Sequence, residues 1–126
     1  MPKQIHDAPS GPKPLGPYSI ITEASGLVFV SGMVAIDPAR GLAVEGGVTE
    51  QTDQIMRNIG AVLGDVGLGY ADIAKTTIFV TNMDDFAAVN AVYGEYVGDA
   101  KPARSTVEVS ALPGGFLVEI ETIASR

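Results

Sequence analysis

An arginine and a set of glutamates near the C-terminal end of the chain have the chemistry to work together: Arg104 with Glu108, Glu119 and Glu121. A guanidinium is a planar fork of donors that grips a carboxylate through two parallel hydrogen bonds, which an ammonium does not reproduce. A carboxylate can take or return a proton at a reacting centre. Arg104 follows Lys101-Pro102-Ala103, at a junction of loop and strand. From the residues alone it has two readings of equal standing: an anchor for a ligand carboxylate, or half of a structural ion pair with Glu119 or Glu121. Three further places are candidates with ordinary explanations beside them. Tyr18, after Gly16-Pro17, is a pocket wall or, the favoured reading, an aromatic packed on its turn. Ser31-Gly32 closes a strand where a ligand could approach the backbone, although a plain bulge accounts for it as well. Asn90 falls in a helical stretch, where a solvated residue is the usual finding.

Composition removes other chemistries. The chain has no cysteine and one histidine, so Cys-His catalysis and the usual Cys/His zinc sites are excluded. His6 reads as a surface or edge-strand residue. With 15 acidic and 8 basic residues the net charge is −7, and the lysines and arginines form no run. Nucleic-acid binding rests on neutralising phosphates, so we expect no nucleic-acid partner, and the same charge opposes anionic membrane surfaces. No stretch nears the roughly twenty apolar residues of a membrane span. Met1 to His6 lacks the apolar core of a signal peptide, and cytoplasm is the default expectation. At 126 residues one domain over 1–126 is expected, large enough to fold without disulfides or a structural metal.

The elements that must position these groups follow from period and punctuation. Residues 7–17 carry four prolines and two glycines, which predicts an extended arm lying across a surface or an edge. Ser19 to Glu23 and Leu27 to Met33 read as strands joined by the tight turn Ala24-Ser25-Gly26. Ile36 to Gly41 is a further turn. Ile55, Ile59, Val62, Leu63 and Val66 fall on one face of a helix, with Thr49 as expected N-cap and Gly67 as expected C-cap. Lys75 to Val80 is β-branched and aromatic, hence a strand. A second helix follows, with Asp84 and Asp85 in its first turn and Phe86, Val89 and Tyr93 on its buried face. Arg104 to Ser110 and Leu117 to Ile123 alternate strictly and read as a hairpin closed at Leu112-Pro113-Gly114-Gly115. In that hairpin Val107, Val109, Val118 and Ile120 lie under the helices. Arg104, Thr106, Glu108, Glu119 and Glu121 share the opposite face, with Glu108 across from Glu119. The expected architecture is α+β: a mixed sheet with two helices on one face.

Gly16-Pro17-Tyr18, Val30-Ser31-Gly32, Lys75 to Val80 and Asp85 to Asn90 lead in order to Pro102-Ala103-Arg104-Ser105, Leu112-Pro113 and Val118 to Glu121. This ordered set resembles the Rid (YjgF) family of reactive-intermediate deaminases, from about Gly16 to Ala124. The resemblance implies a chorismate-mutase-like fold, a homotrimeric barrel and a cleft at each subunit interface. It implies cofactor-free hydrolysis of 2-imino acids, or their enamine tautomers, to 2-keto acids and ammonia. It also implies roles: Arg104 holding the substrate carboxylate, Glu119 orienting or activating water, and Tyr18, Ser31, Gly32, Asn90 and Thr106 lining the site. Thr106 and Met33 stand where relatives often have cysteine and glutamine. The alternative from another class is a non-catalytic trimer that binds small carboxylates.

Overall fold

The computed structural model describes residues 2–126. Eight strands and two helices run in the order β1 (Gln4–His6), β2 (Ile21–Ala24), β3 (Leu27–Met33), β4 (Ile36–Asp37), β5 (Leu42–Ala43), α1 (Val48–Asp65), β6 (Ile73–Val80), α2 (Phe86–Val97), β7 (Ala103–Glu108), β8 (Val118–Ser125). Six strands make one sheet in the order β1-β2-β3-β8-β6-β7, and β4 with β5 forms a separate ribbon. Every neighbouring pair in the large sheet is antiparallel except β6 and β7, which run parallel. Both helices cover one face, as expected for the α+β class.

Alternation sorts the strands' side chains. Ile78 and Val80 of β6 and Val118, Ile120 and Ala124 of β8 are fully buried, against Ile55, Met56, Ile59, Val62 and Leu63 of α1. Each such aliphatic side chain contributes roughly 1.5–3 kcal/mol on leaving water. Ser25 and Gly26 adopt φ of 53° and 78°, a turn that matches the twist of the β2–β3 hairpin. The arm at 7–17 forms no helix or strand. It lies over the end of α1, where the Ser10 N–H and hydroxyl donate to Asp65 at 2.9 and 2.6 Å.

The helix ends depart slightly from expectation. Gly47, not Thr49, is the N-cap of α1, because the Glu50 carboxylate turns back to accept the Gly47 N–H at 2.8 Å. Val66 is the C-cap, and Gly67 stands one residue beyond it at φ 78°. There the Leu68 N–H reaches the Leu63 carbonyl at 2.9 Å, so glycine's left-handed backbone stops the helix as foreseen. Asp84 and Asp85 occupy a 3₁₀ turn just before α2, and the Asn82 side chain accepts the Asp84 N–H. Val89 and Tyr93 are buried, but Phe86 is 37% exposed.

The expected closing hairpin does not form. β7 lies at the sheet's edge, parallel to β6, while β8 pairs with the other side of β6. The β6–α2–β7 crossover returns the chain in the direction of β6, and residues 109–117 then pass across the end of that strand. The polar run Arg104, Ser105, Thr106 suits an edge, whereas β8, buried at alternate positions, suits the middle. Glu119 therefore faces Phe79, and Glu108 pairs with Val80. Paired residues share a face, so Arg104, Thr106 and Glu108, opposite Thr76, Ile78 and Val80, point toward the helices. Glu119 and Glu121 point away from them. Val107, expected under the helices, is 42% exposed on the open face.

Gly60 of α1 tests the packing. A Cβ there would overlap the Tyr70 hydroxyl, which donates to the Met56 carbonyl at 2.6 Å. Gly60→Ala should lower stability by about 1–3 kcal/mol, as overpacking does. At Gly64, four residues on, nothing lies within 4 Å of an added Cβ. Gly64→Ala should raise stability by about 0.5–1 kcal/mol. Urea unfolding of both variants checks the contrast.

Candidate active site in two halves

Arg104 lies under α2. Phe86, Asn90 and Tyr93 recur at i, i+4 and i+7, which puts them on one stripe of that helix. The guanidinium carbon sits 5.5 Å from the Phe86 ring centre and 5.4 Å from that of Tyr93. Nη1 donates to Asn90 Oδ1 at 2.5 Å. Tyr93 is itself fixed, its hydroxyl 2.7 Å from Thr76 Oγ1 in the core. Burial raises the Tyr93 pKa, opposed by the Thr76 bond and the Arg104 charge, so the ring stays neutral beneath the cation. Arg40, Arg57 and Arg126 each pair with a carboxylate at 2.8–3.1 Å. Among the described residues Arg104 has no such partner. The ion-pair reading fails within the chain, because Glu119 and Glu121 face the other side of the sheet. One donor is spent on Asn90, and the exposed fork borders a hollow of about 590 Å³. Thr106, two residues on and on the same face, has its hydroxyl oxygen buried without a hydrogen-bond partner. Glu108 has a structural task instead, accepting the Met83 N–H at 2.7 Å ahead of α2.

The second half lies on the open face. Gly32 sits at an irregularity in the β3–β8 register, between Val30 and Met33. The Glu119 carboxylate occupies the space that a side chain at position 32 would need. A side chain at position 32 would push the Glu119 carboxylate out of this position. Ser31 is fastened beside it, its hydroxyl donating to the Ser19 carbonyl at 2.7 Å and its N–H to that of Ile20 at 2.9 Å. Tyr18 is folded over its own turn, its ring against Gly16 and its hydroxyl accepting the Leu15 N–H at 3.4 Å, while its other side is open, leaving it 49% exposed. Tyr18, Ser31, Gly32 and Glu119 all line one cavity of about 570 Å³. Burial raises the Glu119 pKa, and the Glu121 charge adds to the rise. A carboxylate so placed is a better proton acceptor than one in water.

The structure thus gathers Arg104, Asn90 and Thr106 in one place, and Tyr18, Ser31, Gly32 and Glu119 in another, on opposite faces of the sheet. Phe86 and Tyr93 escaped the sequence reading as parts of a site. Their spacing around Asn90 was the available signal, but it equally describes a buried helix face. The wall supplied by the Pro113 to Phe116 turn was also missed. Among the described residues no group of three or more His, Asp or Glu side chains stands close enough to hold a metal ion.

Two helices on one face of this mixed sheet, with a divided polar site, define a chorismate-mutase-like α+β protein. A family model described as Endoribonuclease L-PSP matches residues 8–126, and the chain belongs to that family, the Rid (YjgF) family. It is 44% identical to a RutC family protein of Pyrococcus horikoshii, over 98% of each chain. It is 37% identical to a 2-iminobutanoate/2-iminopropanoate deaminase of Mus musculus, over 97% of this chain and 90% of that one. A crystal structure of E. coli TdcF with bound serine superposes with a TM-score of 0.91 at 33% identity, covering 98% of each chain.

Glu119's raised pKa has a consequence for stability. The folded state holds a proton there more tightly than the unfolded chain, so stability falls as pH rises from the ordinary value of 4.5 through the folded pKa. Glu119→Gln should therefore melt at a higher temperature than the parent at pH 7. The gain should vanish below about pH 4.5 in thermal melts across that range.

Proposed function

We propose that the protein is a hydrolytic deaminase, acting in the cytoplasm, that converts 2-imino acids and their enamine tautomers to 2-keto acids and ammonia. The observation that carries this reading is the guanidinium of Arg104, stacked, held by Asn90 and without a carboxylate partner among the described residues. A guanidinium held in this way is suited to binding an anion. The relatives lend support: one is named an imine deaminase, and another was crystallised with serine, whose carboxylate is the group Arg104 would hold.

In this reading a neighbouring copy supplies the second half of the site, in a homotrimer, because one chain's Arg104 and Glu119 face apart. Arg104 binds the substrate carboxylate and sets the imine carbon near Glu119 of the adjoining copy. The imine reacts in its protonated form. Glu119 takes one proton from water as the water oxygen bonds to that carbon. The π pair of the carbon–nitrogen double bond moves to nitrogen, giving a neutral carbinolamine. The proton passes to nitrogen, the carbon–nitrogen bond breaks, and loss of the hydroxyl proton leaves the keto acid and ammonium. Imines hydrolyse unaided, so placing substrate and water and steadying the developing charge is sufficient work. No covalent nucleophile or cofactor is required. The acidic charge with scattered basic residues weighs against the RNA cleavage that the family's description names.

Keto-acid release is measured while serine or threonine dehydratase generates the enamine in situ. Arg104→Ala should lose roughly 10- to 100-fold in kcat/KM, the 1.5–3 kcal/mol of a charge-assisted hydrogen bond. Arg104→Lys should recover little, since fork and stacking are both lost. An unaltered Arg104→Ala enzyme refutes the anchor, and binding without turnover favours the carboxylate-binding alternative. A monomeric mass in sedimentation refutes the shared site.

A further inference from the structure

We propose that Gln51 of α1 is a positioning residue for Glu119: from the helix side of the sheet, its amide fixes the chain that brings that carboxylate to the cavity. For its effect on rate the inference rests on the deaminase reading, but Gln51 itself belongs to neither half of the site. Leu117 stands one residue before β8, beyond the last pair of the β6–β8 ladder, Val80 with Val118. Gln51 Oε1 accepts the Leu117 N–H at 2.9 Å. The Leu117 carbonyl accepts the Thr81 N–H at 3.2 Å, so both of its backbone groups are held. Phe116, a wall of the cavity, comes immediately before Leu117, and Glu119 comes two residues after it.

The stripe of α1 that carries Gln51 gives the contact its meaning. Gln51, Ile55, Asn58 and Val62 recur at i, i+4, i+7 and i+11, so they share one face of the helix. Ile55 and Val62 are fully buried in the core. An amide on such a stripe needs hydrogen-bond partners, and both amides here find one in backbone beside the cavity. Asn58, 2% exposed, donates from Nδ2 to the Ile36 carbonyl at 2.8 Å, and Gln54 Nε2 donates to its Oδ1 at 2.8 Å. Ile36 lines the cavity together with Phe116 and Glu119. One helix face therefore ties down two walls of the same cavity. Without the Gln51 acceptor, the half-buried Leu117 N–H has to turn toward water, and Glu119 leaves its seat beside Gly32. A displacement of about 1 Å can cost about 100-fold in rate. The loss falls on kcat, because Arg104 holds the substrate in the other half.

Gln51→Leu removes the acceptor and keeps the bulk, whereas Gln51→Glu keeps an oxygen at the same reach. With imines supplied in situ at graded rates by a dehydratase, Gln51→Leu should lose roughly tenfold in kcat, with KM within about twofold of the parent. Gln51→Glu should recover most of that loss. In carboxyl-carbon NMR titrations, assigned with Glu119→Gln, Glu119 of the parent should titrate above the ordinary 4.5. In Gln51→Leu it should move back toward that value, as the carboxylate gains water. If Gln51→Leu does not fold, Gln51→Ala takes its place in the same measurements. The inference is overturned by a folded variant with unchanged kcat, by a loss that leaves the Glu119 titration unmoved, or by a loss that Gln51→Glu shares. Each of these leaves the deaminase reading standing. A parent that accelerates no imine overturns the deaminase reading, and the titration alone then decides whether Gln51 seats Glu119.

Discussion

Strand β6 has a neighbour on each side, and its pleat assigns a face to every candidate group in the protein. β7 joins it parallel and β8 antiparallel, and residues paired across either ladder point the same way. Thr76 and Ile78 face the helices, so Arg104 and Thr106 do too. Phe79 faces away from them, so Glu119 does too. A slip of one residue in the β6–β7 register would send Arg104 out from under α2 and away from Phe86, Asn90 and Tyr93. The β-branched and apolar residues that hold β6 in the core therefore also hold the two halves of the site apart.

The Arg104 half shows how a small protein can keep an exposed cation ready. Two aromatic faces, each worth roughly 0.5–2 kcal/mol, hold the guanidinium plane, and Asn90 sets its rotation. The Tyr93–Thr76 bond ties the arrangement to the core, so little side-chain freedom is left to lose when an anion arrives. The surroundings carry costs. Lys101, at the approach to β7, has a left-handed backbone at φ 39°, the Thr106 hydroxyl oxygen has no partner, and Glu119 is half-buried beside Glu121. These unfavourable features lie close to the proposed reacting groups, while the fully buried aliphatic residues of α1, β6 and β8 offset them. That distribution is typical of sites shaped by something other than stability.

What could be read from the sequence divides along the same physical line. The β2–β3 hairpin, the apolar face of α1 and its stop at Gly67 depend on residues within a few positions of one another, and they were legible. The alternation of β7 and β8 was equally clear, but alternation does not say which strand a segment pairs with. Leu112-Pro113-Gly114-Gly115 looks like a hairpin turn, yet it belongs to a connection that carries the chain past β6. That one misplaced pairing put Arg104 and Glu119 on the same face and joined Glu108 to Glu119. Phe86 was misjudged for a related reason: helical spacing marks a face without saying whether hydrocarbon or a cation covers it. The dependence of Glu119 on Gly32 links strands about ninety residues apart in the chain, and no local pattern announces it.

The separation of the halves also constrains how copies could complete a site. Each chain carries one anchor half at the sheet's edge strand and one proton-accepting half on the open face, where Leu27, Phe29 and Val107 are also more than a third exposed. These are different surfaces. A contact that sets the edge of one copy on the open face of the next is head-to-tail, and such contacts either close into a ring or propagate without end. In the proposed trimer the rotation closes, every anchor half meets an accepting half, and the exposed apolar groups of the open face are covered by the same contact that assembles the chemistry. Assembly and activity would then depend on one interface: loosening it would expose hydrocarbon and separate Arg104 from Glu119 together.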